Sequence, residues 1–385
     1  MPGHPKGHPR GHRPKGQRRD TIAFTVVVTI LVLLGAAGML LVLALSGAPR
    51  TMVMATVLAT VPVGPLVACY LWLDRYEPEP RRLLAAGLLW GGFVATAVAI
   101  ILEGIGGLFV GISNDTSLAI VAPITEEATK GAFLLLLLWW RRAELDGVLD
   151  GLVYAGMVGI GFAFVENILY LAAAYNGTDG TGPGGTTALT STFVVRCLFS
   201  PFAHPFFTSF TGIGVGIAVA SRTRALRFLA PLLGYLVAVT AHGIWNGSTI
   251  YGANFIVVYV VLMAPAFLGA VGFAIWARRS ERRMLAAALG DAAKRGLIPA
   301  TDIGWVVDLG ARRQSRAFAK QMGGEDGLRA MRDYQQAVVE LGFLHSRFLR
   351  GTPPPDFAER GREYVARIAA VRPRIAFPGQ VVPAR

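Results

Sequence analysis

The sequence predicts an all-α, polytopic membrane helix bundle of about eight transmembrane helices, followed by a small helical cytosolic C-terminal appendage. Three observations carry this prediction. Of the 385 residues, 53% are apolar and only 16% are charged, and the mean hydropathy is +0.50. The charge lies at the two ends: residues 1–20 hold 6 Lys/Arg and 1 acid, and residues 278–385 hold 20 Lys/Arg and 11 acids. Between them, residues 21–277 hold 11 basic and 12 acidic side chains and are close to neutral. The third observation is that Cys69 and Cys197 both lie in apolar runs. Such a chain is not disordered, a secreted disulfide scaffold or an ordinary soluble enzyme. Basic tails beside an apolar body face the headgroups of a lipid bilayer, and no nucleic-acid partner is expected.

Because backbone groups find no water partner in lipid, a span needs about 20 apolar residues in helical form. Eight segments meet that length: 22–45, 51–73, 83–111, 117–140, 147–174, 191–220, 228–250 and 254–277. The first exceeds a signal-peptide core and reads as an anchor. With the N-terminus in the cytoplasm, residues 1–20, 74–82, 141–146, 221–227 and 278–283 face inward and hold 18 Lys/Arg. The outward connections near 46–50, 112–116, 175–190 and 251–253 hold only Arg50. The asymmetry predicts a multi-pass cell-membrane protein with both termini cytoplasmic. Three units follow: a disordered basic tail over 1–20, the membrane bundle over 21–277 and a cytosolic helical tail over 278–385. The tail should be helical over about 281–298, 310–343 and 356–371, where Gly and Pro breaks set the limits.

Charged residues inside a span cost about 2.5–3.5 kcal/mol each on insertion scales, so they survive where they face a partner or a cavity. Glu103, Glu126, Glu127, Lys130, Glu166, Asn167, His204, His242 and Asn246 fall in this class. Two of the six histidines lie in the spans, each with a small polar residue four positions later: His204 with Thr208, and His242 with Asn246. Positions i and i+4 share a helix face. Lys130 stands at i+4 from Glu126 and i+3 from Glu127, so it can neutralise one carboxylate and leave the other for chemistry. Glu103 and Asn167 read as interhelical hydrogen-bond formers.

Counted from the outer ends of their spans at about 1.5 Å per residue, Glu126, Glu166, His204 and His242 all lie roughly 12–20 Å deep. Their agreement in depth predicts convergence. Pro123 before the glutamate pair, and Pro201 and Pro205 around His204, mark helices that bend to line a cavity. The pairs Gly212/Gly216 and Gly243/Gly247 read as close-packing contacts. Two carboxylates and two imidazoles at one depth suit a Zn²⁺ site with neutral imidazole and carboxylate ligands. They equally suit a metal-free site in which a buried glutamate deprotonates water. A transporter coupled to protons or ions could use the same carboxylates, although the inverted repeats of that class are not evident.

The blocks Glu126-Glu127-Ala128-Thr129-Lys130, Asp150-Gly151-Leu152-Val153-Tyr154 through Gly161-Phe162-Ala163-Phe164-Val165-Glu166-Asn167, His204-Pro205-Phe206-Phe207-Thr208 and His242-Gly243-Ile244-Trp245-Asn246 resemble, in order and spacing, the signature of the PrsW intramembrane proteases. That family is distantly similar to the CAAX-processing membrane endopeptidases. The resemblance spans about residues 60–275. It implies cleavage of single-span membrane proteins, notably anti-sigma factors, near the outer face. By this resemblance Glu126 and Glu127 are the essential pair, with Glu126 as the base that activates water and Glu127 held by Lys130, or the two roles reversed. Glu166, His204 and His242 complete the site by binding metal or polarising water and carbonyl, and Asn246 is the oxyanion donor.

Overall fold

A computed structural model describes residues 15–178, 183–250, 252 and 255–379, and among these there is no β-strand. Most of the basic tail expected over 1–20 therefore lies outside the described residues. Its last part differs from expectation: the first helix begins at Lys15, not after residue 20. Among the described residues, seven helices are long and apolar enough to cross a membrane: α1 (Asp20–Leu45), α2 (Pro49–Leu73), α3 (Arg81–Gly107), α5 (Val148–Asn176), α6 (Thr186–Ala220), α7 (Arg224–Thr249) and α8 (Phe255–Lys294). The remaining expected span is present as a helix, α4, over residues 114–140. It stands apart from the seven because Glu126, Glu127 and Lys130 share its middle. The C-terminal part adds α9 (Leu309–Leu349), kinked at Gly323-Gly324, and α10 (Phe357–Val371).

Helix α5 is the axis of the bundle. Its apolar window is 89% buried, against 17% for α2 and 6% for α8. Its glycines explain how neighbours reach it. A Cβ on Gly151 would lie 2.0 Å from the Gly212 carbonyl oxygen on α6, and one on Gly161 would lie 1.9 Å from that of Leu88 on α3. Gly212 and Gly216 pack against the Gly147–Gly151 turn, as the small-residue spacing predicts. Gly243 and Gly247 make a looser contact with Ala119. Substituting Gly212 by valine should therefore lower stability by about 3 kcal/mol, because backbone rather than a movable side chain fills the space. Thermal unfolding in detergent tests this. An unchanged melting temperature would mean that α5 and α6 can separate freely.

Helix α8 does not end where the apolar run ends at 277. Its residues Leu285, Leu289 and Ala292 enter a second core with Met331, Tyr334 and Val338 of α9 and Ile368 of α10. The alanine-, leucine- and arginine-rich sequence continues the helix to Lys294, and Gly296 at φ 74° turns the chain. Arg347 of α9 pairs with Asp146 in the α4–α5 connection. The Arg312 Nη1 donates to the Tyr76 carbonyl in the α2–α3 connection (3.2 Å). The C-terminal helices are thus fastened to the same end of the bundle as these connections.

Candidate active site

The glutamate pair lies on α4 just beyond a π-helical turn, Ser117–Val121, and after Pro123 near the start of the following α-helix. π-helical turns are rare in helices and concentrate at functional positions. Another, Val194–Phe199, interrupts α6, and Trp90–Ala95 of α3 and Tyr259–Met263 of α8 are π-helical as well. Ser200 closes it by donating both its backbone N–H and its hydroxyl to the Val195 carbonyl (2.9 and 2.7 Å). The chain then turns at Pro201, and a new helical segment starts at Ala203. His204 consequently occupies the first turn of a helix, whose positive dipole end favours a nearby anion. Glu166 supplies it: His204 Nε2 is 2.7 Å from Glu166 Oε2.

The four helices α4, α5, α6 and α7 bring the expected residues together. The Lys130 ammonium contacts Glu126 Oε2 and Glu127 Oε1, each at 2.9 Å. It also lies 3.1 Å from His204 Nδ1 and 3.7 Å above the Phe162 ring. Lysine therefore holds both glutamates rather than one. Glu127 has further partners: the Thr208 hydroxyl donates to its Oε2 (2.9 Å), and His242 Nδ1 lies 3.1 Å from its Oε1. Phe207 stacks on the His242 ring with centroids 4.8 Å apart. The i+4 partner of each histidine has a definite place. Thr208 binds Glu127, whereas Asn246 Nδ2 donates to the Leu118 carbonyl in the α4 π-turn (3.1 Å).

Glu126 is the less constrained carboxylate. Its Oε2 stands 3.8 Å from His204 Nδ1 and 3.8 Å from His242 Nε2. These separations are too long for direct hydrogen bonds, and between Glu126 Oε2 and His204 Nδ1 the bridging group is the Lys130 ammonium. Among the described residues, Glu126, His204 and His242 form the one group of three side chains whose metal-capable atoms lie within 4.8 Å of one another. This group differs from the Glu166, His204 and His242 set expected from sequence by having Glu126 in the place of Glu166. Glu166 approaches His204 only through the ring nitrogen that faces away from His242, and its other partner is Arg196.

Arg196 was not among the expected site residues. Its guanidinium pairs with Glu166, donates to Asn167 Oδ1 (2.8 Å) and lies 3.8 Å from the Tyr170 ring centroid. An arginine in the apolar 191–220 segment is the signal that could have found it, since such a charge needs a counter-ion. Asn167 behaves as expected, as a hydrogen-bond partner between helices. So does Glu103, which accepts from Thr125 (3.1 Å). Replacing Arg196 with methionine should cost about 3 kcal/mol, because it strands the Glu166 carboxylate in a largely buried position. The double variant with Glu166→Gln should recover much of that loss in a thermal melt, and failure to recover it would show that Arg196 acts on something else.

A cavity of about 800 Å³ leads to this centre; Glu166, Asn167, Arg196, His204 and Asn246 line it together with Thr187 and Ser191 of α6. Chemically the arrangement offers two imidazoles, each braced through its far nitrogen by a carboxylate: Glu166 for His204, and Glu127 for His242. Carboxylate-braced imidazoles are the usual outer support of a metal-ligating histidine pair. With Glu126 they make a His₂Glu donor set, suited to a catalytic Zn²⁺ with an open position. Metal binding at His204 Nδ1 requires the Lys130 ammonium to withdraw from that nitrogen.

Residues 79–270 match the sequence model of a family described as "PrsW family intramembrane metalloprotease". The chain is 26% identical over 189 residues to Protease PrsW of Geobacillus kaustophilus, covering 49% of this chain and 76% of that protein. It is 27% identical over 181 residues to Protease PrsW of Oceanobacillus iheyensis, covering 46% and 74%. With Protease PrsW of Bacillus subtilis it shares 30% identity over 125 residues, covering 30% and 54%. No solved structure matches the chain.

Proposed function

Because the chain belongs to the PrsW family of intramembrane proteases, we propose that it hydrolyses peptide bonds of membrane-anchored proteins, single-span anti-sigma factors among them, with water activated between Glu126, His204 and His242. The observation that carries this reading is the equal 3.8 Å separation of Glu126 Oε2 from His204 Nδ1 and His242 Nε2. Once the Lys130 ammonium moves off His204 Nδ1, a water placed there meets the Glu126 carboxylate and two imidazole nitrogens that accept its protons.

In this reading Glu126 takes the proton of that water as its oxygen attacks the scissile carbonyl carbon. It then delivers the proton to the departing amine nitrogen, as general base and general acid in turn. The carbonyl oxygen becomes an oxyanion facing the second amide N–H of Asn246. Lys130 holds the Glu126 carboxylate in place from 2.9 Å. Glu127, gripped by Lys130 and Thr208, fixes the His242 ring so that Nε2 points at the water. Glu166, anchored by Arg196, does the same for Nδ1 of His204. A divalent ion such as Zn²⁺ held by Glu126, His204 and His242 would supply a water of near-neutral pKa and polarise the carbonyl, with the Glu126 carboxylate then serving as a ligand in place of its role as free base.

The lysine and arginine asymmetry of the connections supports a cell-membrane protein with both ends of the chain in the cytoplasm. On that orientation the cavity opens toward the outer face, the residues 21–277 house the chemistry, and the residues 278–385 form a cytosolic helical unit. The reading is tested by reconstituting the purified protein in proteoliposomes with a single-span anti-sigma factor. Product masses should place the cut in or beside the substrate's spanning segment, near the outer face. An intact substrate under conditions where the folded protein is verified would remove the assignment.

A further inference from the structure

We propose that the apolar groove between α7 and α8 receives the membrane-spanning helix of the substrate and leads its end past Trp245 into the active site, an inference that rests on the peptidase reading above. The groove has a volume of about 340 Å³, and its walls include Phe210 of α6, Leu233, Val237 and Ile244 of α7, and Leu262 of α8. Its hydroxyl-bearing residue, Thr240, already donates to the Leu236 carbonyl (2.8 Å). The surface thus presents no open polar group, which suits an apolar helix and not a headgroup.

Three further features commit the groove to a helix that is to be cut. It follows α7 from Leu233 to Trp245, about 18 Å at ~1.5 Å per residue, which is more than three helical turns. Trp245 lines both this groove and the polar cavity that holds Glu166, His204 and Asn246. The groove and the cavity are therefore contiguous at one side chain. Finally, α7 divides its faces between the two: Ala241 and Ile244 line the groove, while His242 faces Glu127 and Asn246 faces Leu118. A helix lying along the first face has its end delivered to the second. Helix α8 meets α6 through the Phe202–Phe267 stack (3.6 Å between centroids) and the Tyr259 hydroxyl on the Phe199 carbonyl (2.8 Å). The cavity beyond, with Asn167, Thr187 and Ser191 on its wall, offers hydrogen bonds to the backbone of a peptide that has unwound.

The test uses the full chain in phosphatidylcholine–phosphatidylglycerol vesicles and a synthetic leucine–alanine transmembrane helix, lysine-flanked and carrying a diazirine at its centre. Light-driven labelling should concentrate on α7 and α8. It should fall by about tenfold in Val237→Trp and in Leu262→Trp, which fill the groove, and persist in Leu33→Trp, a lipid-facing site on α1. Glu126→Gln should label as wild type, so that the binding result is read independently of hydrolysis. Labelling spread evenly over the lipid-facing helices, or unchanged in the groove-filling variants, would make the groove a resting place for lipid chains and overturn the proposal. It would leave the peptidase assignment untouched, because cleavage is measured separately.

Discussion

Glu126→Gln should reduce cleavage of a reconstituted membrane substrate by about 10²- to 10⁴-fold, the range expected when a positioned general base is lost, with the helix bundle still folded. The amide keeps the size of the side chain and its contact with Lys130, but it cannot take a proton from water. Glu127→Gln should also impair the enzyme, by another route. Glu127 is held by Lys130, Thr208 and His242, so its loss disturbs the aim of the imidazole and lowers stability as well as rate. Rate measured alongside thermal melting separates the two. A Glu126→Gln variant that cleaves at the wild-type rate would remove this residue from the chemistry.

Removing divalent metal should have an effect of similar size. A chelator should abolish cleavage and Zn²⁺ should restore it, because the two imidazoles and Glu126 present a His₂Glu donor set with both rings braced by carboxylates. His204→Ala and His242→Ala should each lower the metal content of the purified protein, whereas Glu166→Gln should lower it less, since Glu166 meets His204 Nε2 from outside the Glu126, His204 and His242 group. Cleavage that survives exhaustive chelation would assign water activation to Glu126 and the imidazoles alone.

The membrane bundle was legible because insertion into lipid makes length and apolarity nearly obligatory, and the blocks at Glu126–Lys130, His204 and His242 stood out against that background. Their convergence also followed from counting depth along each helix. What depth cannot give is azimuth. Glu126 and Glu166 lie at about the same level, yet only Glu126 turns toward both histidines, while Glu166 turns toward Arg196. Arg196 escaped notice because its partners Glu166 and Asn167 lie on another helix, and pairing between helices leaves no local spacing to read. The end of α8 escaped for a different reason. The arginines at 278–283 mark where the apolar run stops, but they are good helix formers, and nothing in them stops the helix.

If Glu126 and His242 act on one water, the cleavage rates of Glu126→Gln, His242→Gln and the double variant on the same membrane substrate will show it. Groups that serve a single step are not additive. The double variant should cleave no more slowly than the slower of the two singles. Losses that multiply, or a wild-type rate in either single variant, would contradict it.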